Sequence, residues 1–138
     1  MDAEDLLQKY AEGERNFEGI NLAQIDLAGA DLSGINLSKA NLVEANLSRA
    51  NLSHANLQQA NLVRVNLTEA NLSYAVLLKA NMTEVQLGYA SLIGVVAIEA
   101  NLANAFMFNA VLTDANFTDA LMKGAVMPDG TDYQLSDG

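Results

Sequence analysis

From Leu22 to Met127 a large apolar residue returns at every fifth position except 97, which is Ala, with a smaller or β-branched apolar residue two places before it and mostly polar residues between. The clearest run reads Ala40-Asn41-Leu42-Val43-Glu44, Ala45-Asn46-Leu47-Ser48-Arg49, Ala50-Asn51-Leu52-Ser53-His54, Ala55-Asn56-Leu57-Gln58-Gln59. We call the large residue i. Position i−2 is Ala in most units, and Ile or Val at 20, 25, 35, 65, 85 and 95. Position i−1 is usually Asn or Asp.

A period of five fits neither regular element. On a helix each residue turns about 100°, so successive Leu residues would spread around every side. On a continuous strand an odd repeat would send them alternately to opposite faces. Within one unit, however, i−2 and i lie two apart and point the same way in a short extended segment. The chain must bend once per unit to keep the next pair inward. Such a coil cannot bury its core alone and must stack on its neighbours as a solenoid, about 4.8 Å apart. Ala at i−2 then answers a narrow interior. Asn at i−1 is expected to bond the backbone at the bends and to stack in ladders along the axis.

These residues resemble the pentapeptide-repeat family, whose consensus is A(D/N)LXX, over about four-fifths of the chain. The resemblance implies an all-β solenoid, a right-handed quadrilateral β-helix with four units per coil, of the type common in cyanobacteria. The spacing alone does not give the number four. Exceptional residues do recur 20 apart: Val76 with Val96, Leu78 with Ile98, Phe106 with Val126. The repeats would build a rod on the order of 25 Å long.

The ends read differently. Residues 1–14 predict a short N-terminal capping α-helix. It has Asp2 as N-cap, an apolar stripe of Leu6, Leu7 and Tyr10, and Gly13 as its stop. It is expected to cover both the core and the open backbone edge of the first coil. Winding is placed at 15–127, starting with Phe17. Pro128-Asp129-Gly130 makes a terminating turn, since Pro cannot donate a ladder hydrogen bond. Residues 128–138 form a polar, flexible tail, with Tyr133 and Leu135 available to fold back over the last coil.

The C-terminal half brings in apolar residues at outward positions. In a four-sided coil Val76, Leu78, Val96 and Ile98 share one face, while Phe106 and Phe108 lie on the opposite face. We take these six as the candidate interaction surface, because a contiguous exposed apolar patch marks an interface. Ile93 and Val111 fall on a third face, and Tyr74 and Tyr89 stand nearby at i+2. Ala97, the small residue at an i position, should leave a gap unless Val95, Leu77 and Phe117 fill it, and such repacking is expected rather than a ligand pocket.

Composition narrows the function. The hydrophobic share of 51 % is inflated by Ala, and no apolar run is long enough to span a bilayer. Residues 1–19 show no secretory signal and the chain has no Cys, so a cytoplasmic location is expected. The net charge is −10, yet Lys39, Arg49, Arg64, Lys79 and Lys123 offset most acids of the repeats. The excess sits at the two ends. Direct nucleic-acid binding needs a basic surface and is not expected.

Chemistry is sparse. His54 is the single His, so no transition-metal set forms. The hydroxyls of Ser33, Ser38, Ser48, Ser53, Thr68 and Ser73 lack a base, and Asp129, Asp132 and Asp137 are too loosely spaced for a calcium loop. Glu44 and Glu84 flank Arg64 and read as surface charge pairing. We expect no enzyme and no cofactor. The reading is a non-catalytic solenoid scaffold mediating protein–protein interaction, with a homodimer through the C-terminal coils as a further expectation. The alternative, which the family resemblance implies, is an acidic DNA-mimic-like modulator of a type II topoisomerase, DNA gyrase.

Overall fold

The computed structural model describes residues 1–134 as one short helix followed by a right-handed coil. Its rungs are single parallel bridges between residues 20 apart, from Asn16–Asn36 through Phe106–Val126. Each turn of the coil therefore holds four units and has four sides. The first side carries Phe17, Leu37, Leu57, Leu77, Ala97 and Phe117. The second carries Leu22 to Met122, the third Leu27 to Met127, and the fourth Leu32 to Leu112.

One unit shows why the sequence winds this way. In Ala60-Asn61-Leu62-Val63-Arg64, the Asn61 N–H donates to Ala40 of the coil before. Leu62 and Arg64 donate to Asn81 and Thr83 of the coil after, at 2.7 and 3.0 Å. Val63 donates to its neighbour's side chain, Asn61 Oδ1, at 3.2 Å. Ala60 closes the preceding bend by donating to Leu57 at 3.0 Å. Every backbone N–H of the unit is used, as burial in a stacked coil requires.

The bends are β-turns from i to the next i−2, such as Ile25 N–H to Leu22 O at 3.1 Å. Only the second central residue, i+2, has positive φ, which is the type II signature. Glycine holds it at 19, 29, 34, 94 and 124, but ordinary residues elsewhere adopt φ of 55 to 62°. Stacking from both sides holds them there.

Inside, the leucines of the i columns are almost all below 2 % exposed, and Ala40 to Ala105 at i−2 are equally hidden. Ala97 is fully buried beside a fully buried Val95. That unit inverts the usual order of small then large.

Helix α1, Ala3–Ala11, closes the N-terminal end. Asp2 Oδ1 caps it by accepting from Asp5 N–H at 2.8 Å. Gly13 N–H donates to Tyr10 and Glu14 N–H to Lys9, both at 3.0 Å, with Gly13 at φ 102°. This is the Schellman pattern, which needs a left-handed residue at C′. Leu6 is fully buried in the core, joined by the half-buried Ala3 and Tyr10.

Three expectations need correction. The helix covers the first coil's core but little of its edge. Tyr10 Oη donates to Ser33 O at 2.6 Å, replacing the rung an earlier coil would supply, whereas Asn21, Asp26 and Asp31 N–H have no acceptor among the described residues. The Asn residues stack in the expected columns, as Asn21, Asn41, Asn61, Asn81 and Asn101 do, but their hydrogen bonds go mainly to the bends, each Oδ1 being turned to its own i+1 N–H. A side-chain rung joins Asn36 to Asn16. Arg64 pairs with Glu44 at 3.5 Å and leaves Glu84 outside pairing distance.

The coil stops at Pro128. Gly130 N–H donates to Met127 O at 2.8 Å, and the chain reverses to pair Asp132 antiparallel with Val126. Tyr133 N–H reaches Ala125 O at 2.8 Å, and its ring packs half-buried against the core. Leu135 and the end of the expected flexible tail lie outside the described residues.

Candidate functional site

Where Asn or Asp stands at i−1, its carboxamide or carboxylate occupies the bend. Where an apolar residue replaces it, the i+1 N–H loses that acceptor, and the side chain lies on the surface of the side. This happens at Val76, Val96, Phe106, Val111, Leu121 and Val126. Pro128 follows Val126 at i+1 and has no N–H to satisfy.

On the first side Val76 and Val96 are bridge partners, and Leu78 and Ile98 repeat the same register two residues on. All four are half-buried and form one small block. On the third side Phe106 and Phe108 point outward from one rung. Their ring centroids are 6.3 Å apart at 43°, and Tyr89 meets Phe108 edge-on at 5.9 Å and 89°. Phe106 is 38 % exposed and Tyr89 58 %. Gly88 lies beside it, where a Cβ would stand 3.3 Å from the Phe106 ring, so the absence of a side chain there lets the ring edge approach the backbone. The structure thus groups Phe106 and Phe108 with Tyr89. It places the Val76 block on the opposite side, so a single flat partner cannot cover both.

Sequence reasoning passed over two features. At a corner of the fourth side His54 and Tyr74 stack at 5.3 Å, and the Tyr74 ring lies over Gly94, whose Cβ would come within 2.6 Å. The 20-residue spacing of 54, 74 and 94 was the available signal. A shallow groove of about 420 Å³ lies between Met1–Ala3 and Asn21–Asp26, at the uncovered edge of the first coil. It has no counterpart in the repeat pattern.

Charged groups sit at the corners. Asp129 Oδ1 accepts from Thr131 Oγ1 at 2.6 Å and Thr131 N–H at 2.9 Å, which holds its carboxyl below the usual range. Among the described residues no cluster of His, Cys, Asp and Glu could hold a metal, and no helix is long and apolar enough to cross a membrane.

The family model for pentapeptide repeats, in 8 copies, matches residues 16–53, 50–88 and 90–127. Among solved structures, HetL from the cyanobacterium Nostoc sp. strain PCC 7120, a pentapeptide repeat protein involved in heterocyst differentiation regulation, is 22 % identical. That alignment covers 96 % of this chain and 100 % of HetL, with a TM-score of 0.57. A second pentapeptide repeat protein from Nostoc PCC 7120 is 26 % identical, covering 87 % of this chain and 94 % of its own, with a TM-score of 0.65. QnrB1, a plasmid-mediated fluoroquinolone resistance protein, is 22 % identical over 86 % of this chain and 80 % of its own, with a TM-score of 0.36. No curated protein matches the sequence.

Proposed function

The chain belongs to the pentapeptide-repeat family, and from that premise we propose that it is a non-catalytic scaffold that holds another protein against its sides. The supporting observation is the contact among Tyr89, Phe106 and Phe108, aromatic rings joined on one flat side and left partly in water. Exposed aromatics in contact are what interface cores use as anchors. The Val76, Leu78, Val96 and Ile98 block serves as a second contact surface on the opposite side. The reading carries a cytoplasmic setting.

Replacing both Phe106 and Phe108 with Ser tests it. The variant is expected to lose the partner captured from the native organism while keeping its thermal unfolding profile. Capture that survives unchanged removes the proposed surface.

A second reading, a homodimer through the C-terminal coils, is favoured by the open last coil. There Leu112 and Phe117 are half-buried, and their N–H groups have no acceptor among the described residues. Light scattering on the purified protein reads it directly, and a monomer at all concentrations ends it. The gyrase reading is weakened by the interleaved charges, with Lys39 beside Glu18 and Arg64 beside Glu44. A supercoiling assay without effect at large protein excess removes it.

A further inference from the structure

We infer that the aromatic patch of the third side takes a cationic partner segment, one that sets arginine or lysine beside apolar side chains. This rests on the scaffold reading and names the chemistry of what that scaffold holds.

The patch is apolar at its centre and acidic at its rim. Within one side, Glu84 begins the rung that ends at Tyr89, and Glu69 occupies the same corner as Tyr89 one coil earlier. On the other flank Asp129 ends the rung below Phe108, next to Gly130, whose Cβ position is 3.4 Å from the Phe108 ring. Asp132 lies one strand further, paired with Val126. None of these four carboxylates has an ion-pair partner among the described residues. Three cations stand near that side: Arg49 lies one coil before Glu69 at the same corner, outside ion-pair distance of it, Arg64 at the Glu84 corner is turned to Glu44, and Lys123 stands around the corner on the second side.

Two consequences follow from this arrangement. A second copy of the chain would bring the same acids face to face, and like charges across an interface select against it. A cationic segment meets complementary charge on both flanks. It also meets the face of Tyr89, exposed enough for a guanidinium to stack, a contact worth most when the neighbourhood is partly dry. The chain already makes that contact internally, where Arg15 lies 3.7 Å from the Tyr10 ring centroid.

The test is calorimetric titration of the whole protein with a short peptide of alternating arginine and leucine, and with the same peptide carrying citrulline for arginine. Citrulline keeps the shape and removes the charge. The arginine peptide is expected to bind at least about tenfold more tightly. It is also expected to weaken steeply between about 0.05 and about 0.5 M salt, as screening of exposed charges requires. Glu69→Gln with Glu84→Gln should weaken it severalfold. Phe106→Ser with Phe108→Ser, or Tyr89→Ala alone should the double variant fold poorly, should remove most of it. Leu121→Ser, an exposed apolar residue of the second side, should leave it unchanged.

Equal binding of the citrulline peptide overturns the inference. So does binding that ignores the aromatic substitutions, which reports attraction to net charge alone. Self-association lost on Phe106→Ser would assign the patch to a second copy and also overturn it. If capture of the native partner needs Phe106 and Phe108 but ignores salt and the two Glu→Gln changes, the scaffold reading stands and the cationic partner falls.

Discussion

At the scale of single residues, the i−1 position decides between structure and surface. Asn61 satisfies the Val63 N–H with its own side chain. Asn61→Ala should therefore cost about 1 kcal/mol, the net worth of a typical hydrogen bond. Val111 poses the converse case. It is 44 % exposed and leaves the Thr113 N–H without an acceptor among the described residues, so Val111→Asn should stabilise by about 0.5–1 kcal/mol. Chemical denaturation of both variants checks the pair. Asp129 adds a pH term. Its pKa is lowered in the fold by Thr131, so the contribution is complete above the ordinary carboxylate range and is lost as pH falls through the lowered value. Thr131→Val should move the Asp129 midpoint upward in an NMR titration. Asn at i−1 was legible as a bend residue from its spacing alone. The left-handed φ at i+2 was not, because Gln59, Lys79 and Glu99 hold it as ordinary L residues that carry no local mark of the conformation. Only stacking between coils imposes it.

At the scale of elements, the one helix and the one hairpin end the coil by different means. Helix α1 inserts Leu6 over the first coil and substitutes the Tyr10 hydroxyl for a missing rung. Tyr10→Phe should cost about 1 kcal/mol and Leu6→Ala about 2–5 kcal/mol, as loss of a hydrogen bond and of a buried side chain predict. Thermal melts followed by circular dichroism separate the two. The helix boundaries could be read in the sequence from Asp2 and Gly13, whose capping roles are local. The limited reach of the helix could not, since it depends on where a nine-residue element lands on a square end. The terminating Pro128 was legible too. The pairing of Asp132 with Val126 was not, because it exploits an edge that exists only once the coil is wound. The same holds for the aromatic cluster: Phe106 and Phe108 declare themselves by breaking the repeat, whereas the tilt that brings Tyr89 edge-on to Phe108 arises from packing.

At the scale of the whole molecule, position along the chain and direction around the axis are one variable. Because rungs join residues 20 apart, the sequence works as an angular scale graduated in units. Excising residues 41–60 should remove a full storey and leave the aromatic patch at its original bearing relative to α1. Excising 41–45 should keep the fold yet swing everything downstream by a quarter turn, moving Phe106 and Phe108 from the third bearing to the second. Spin labels at Gln8 and Asn109 would record the swing as a changed separation. A partner that grips both the helix and the patch would tolerate the first excision far better than the second. Evolution can thus re-aim a docking site on such a chain by the phase of a deletion, without altering a single residue of the site.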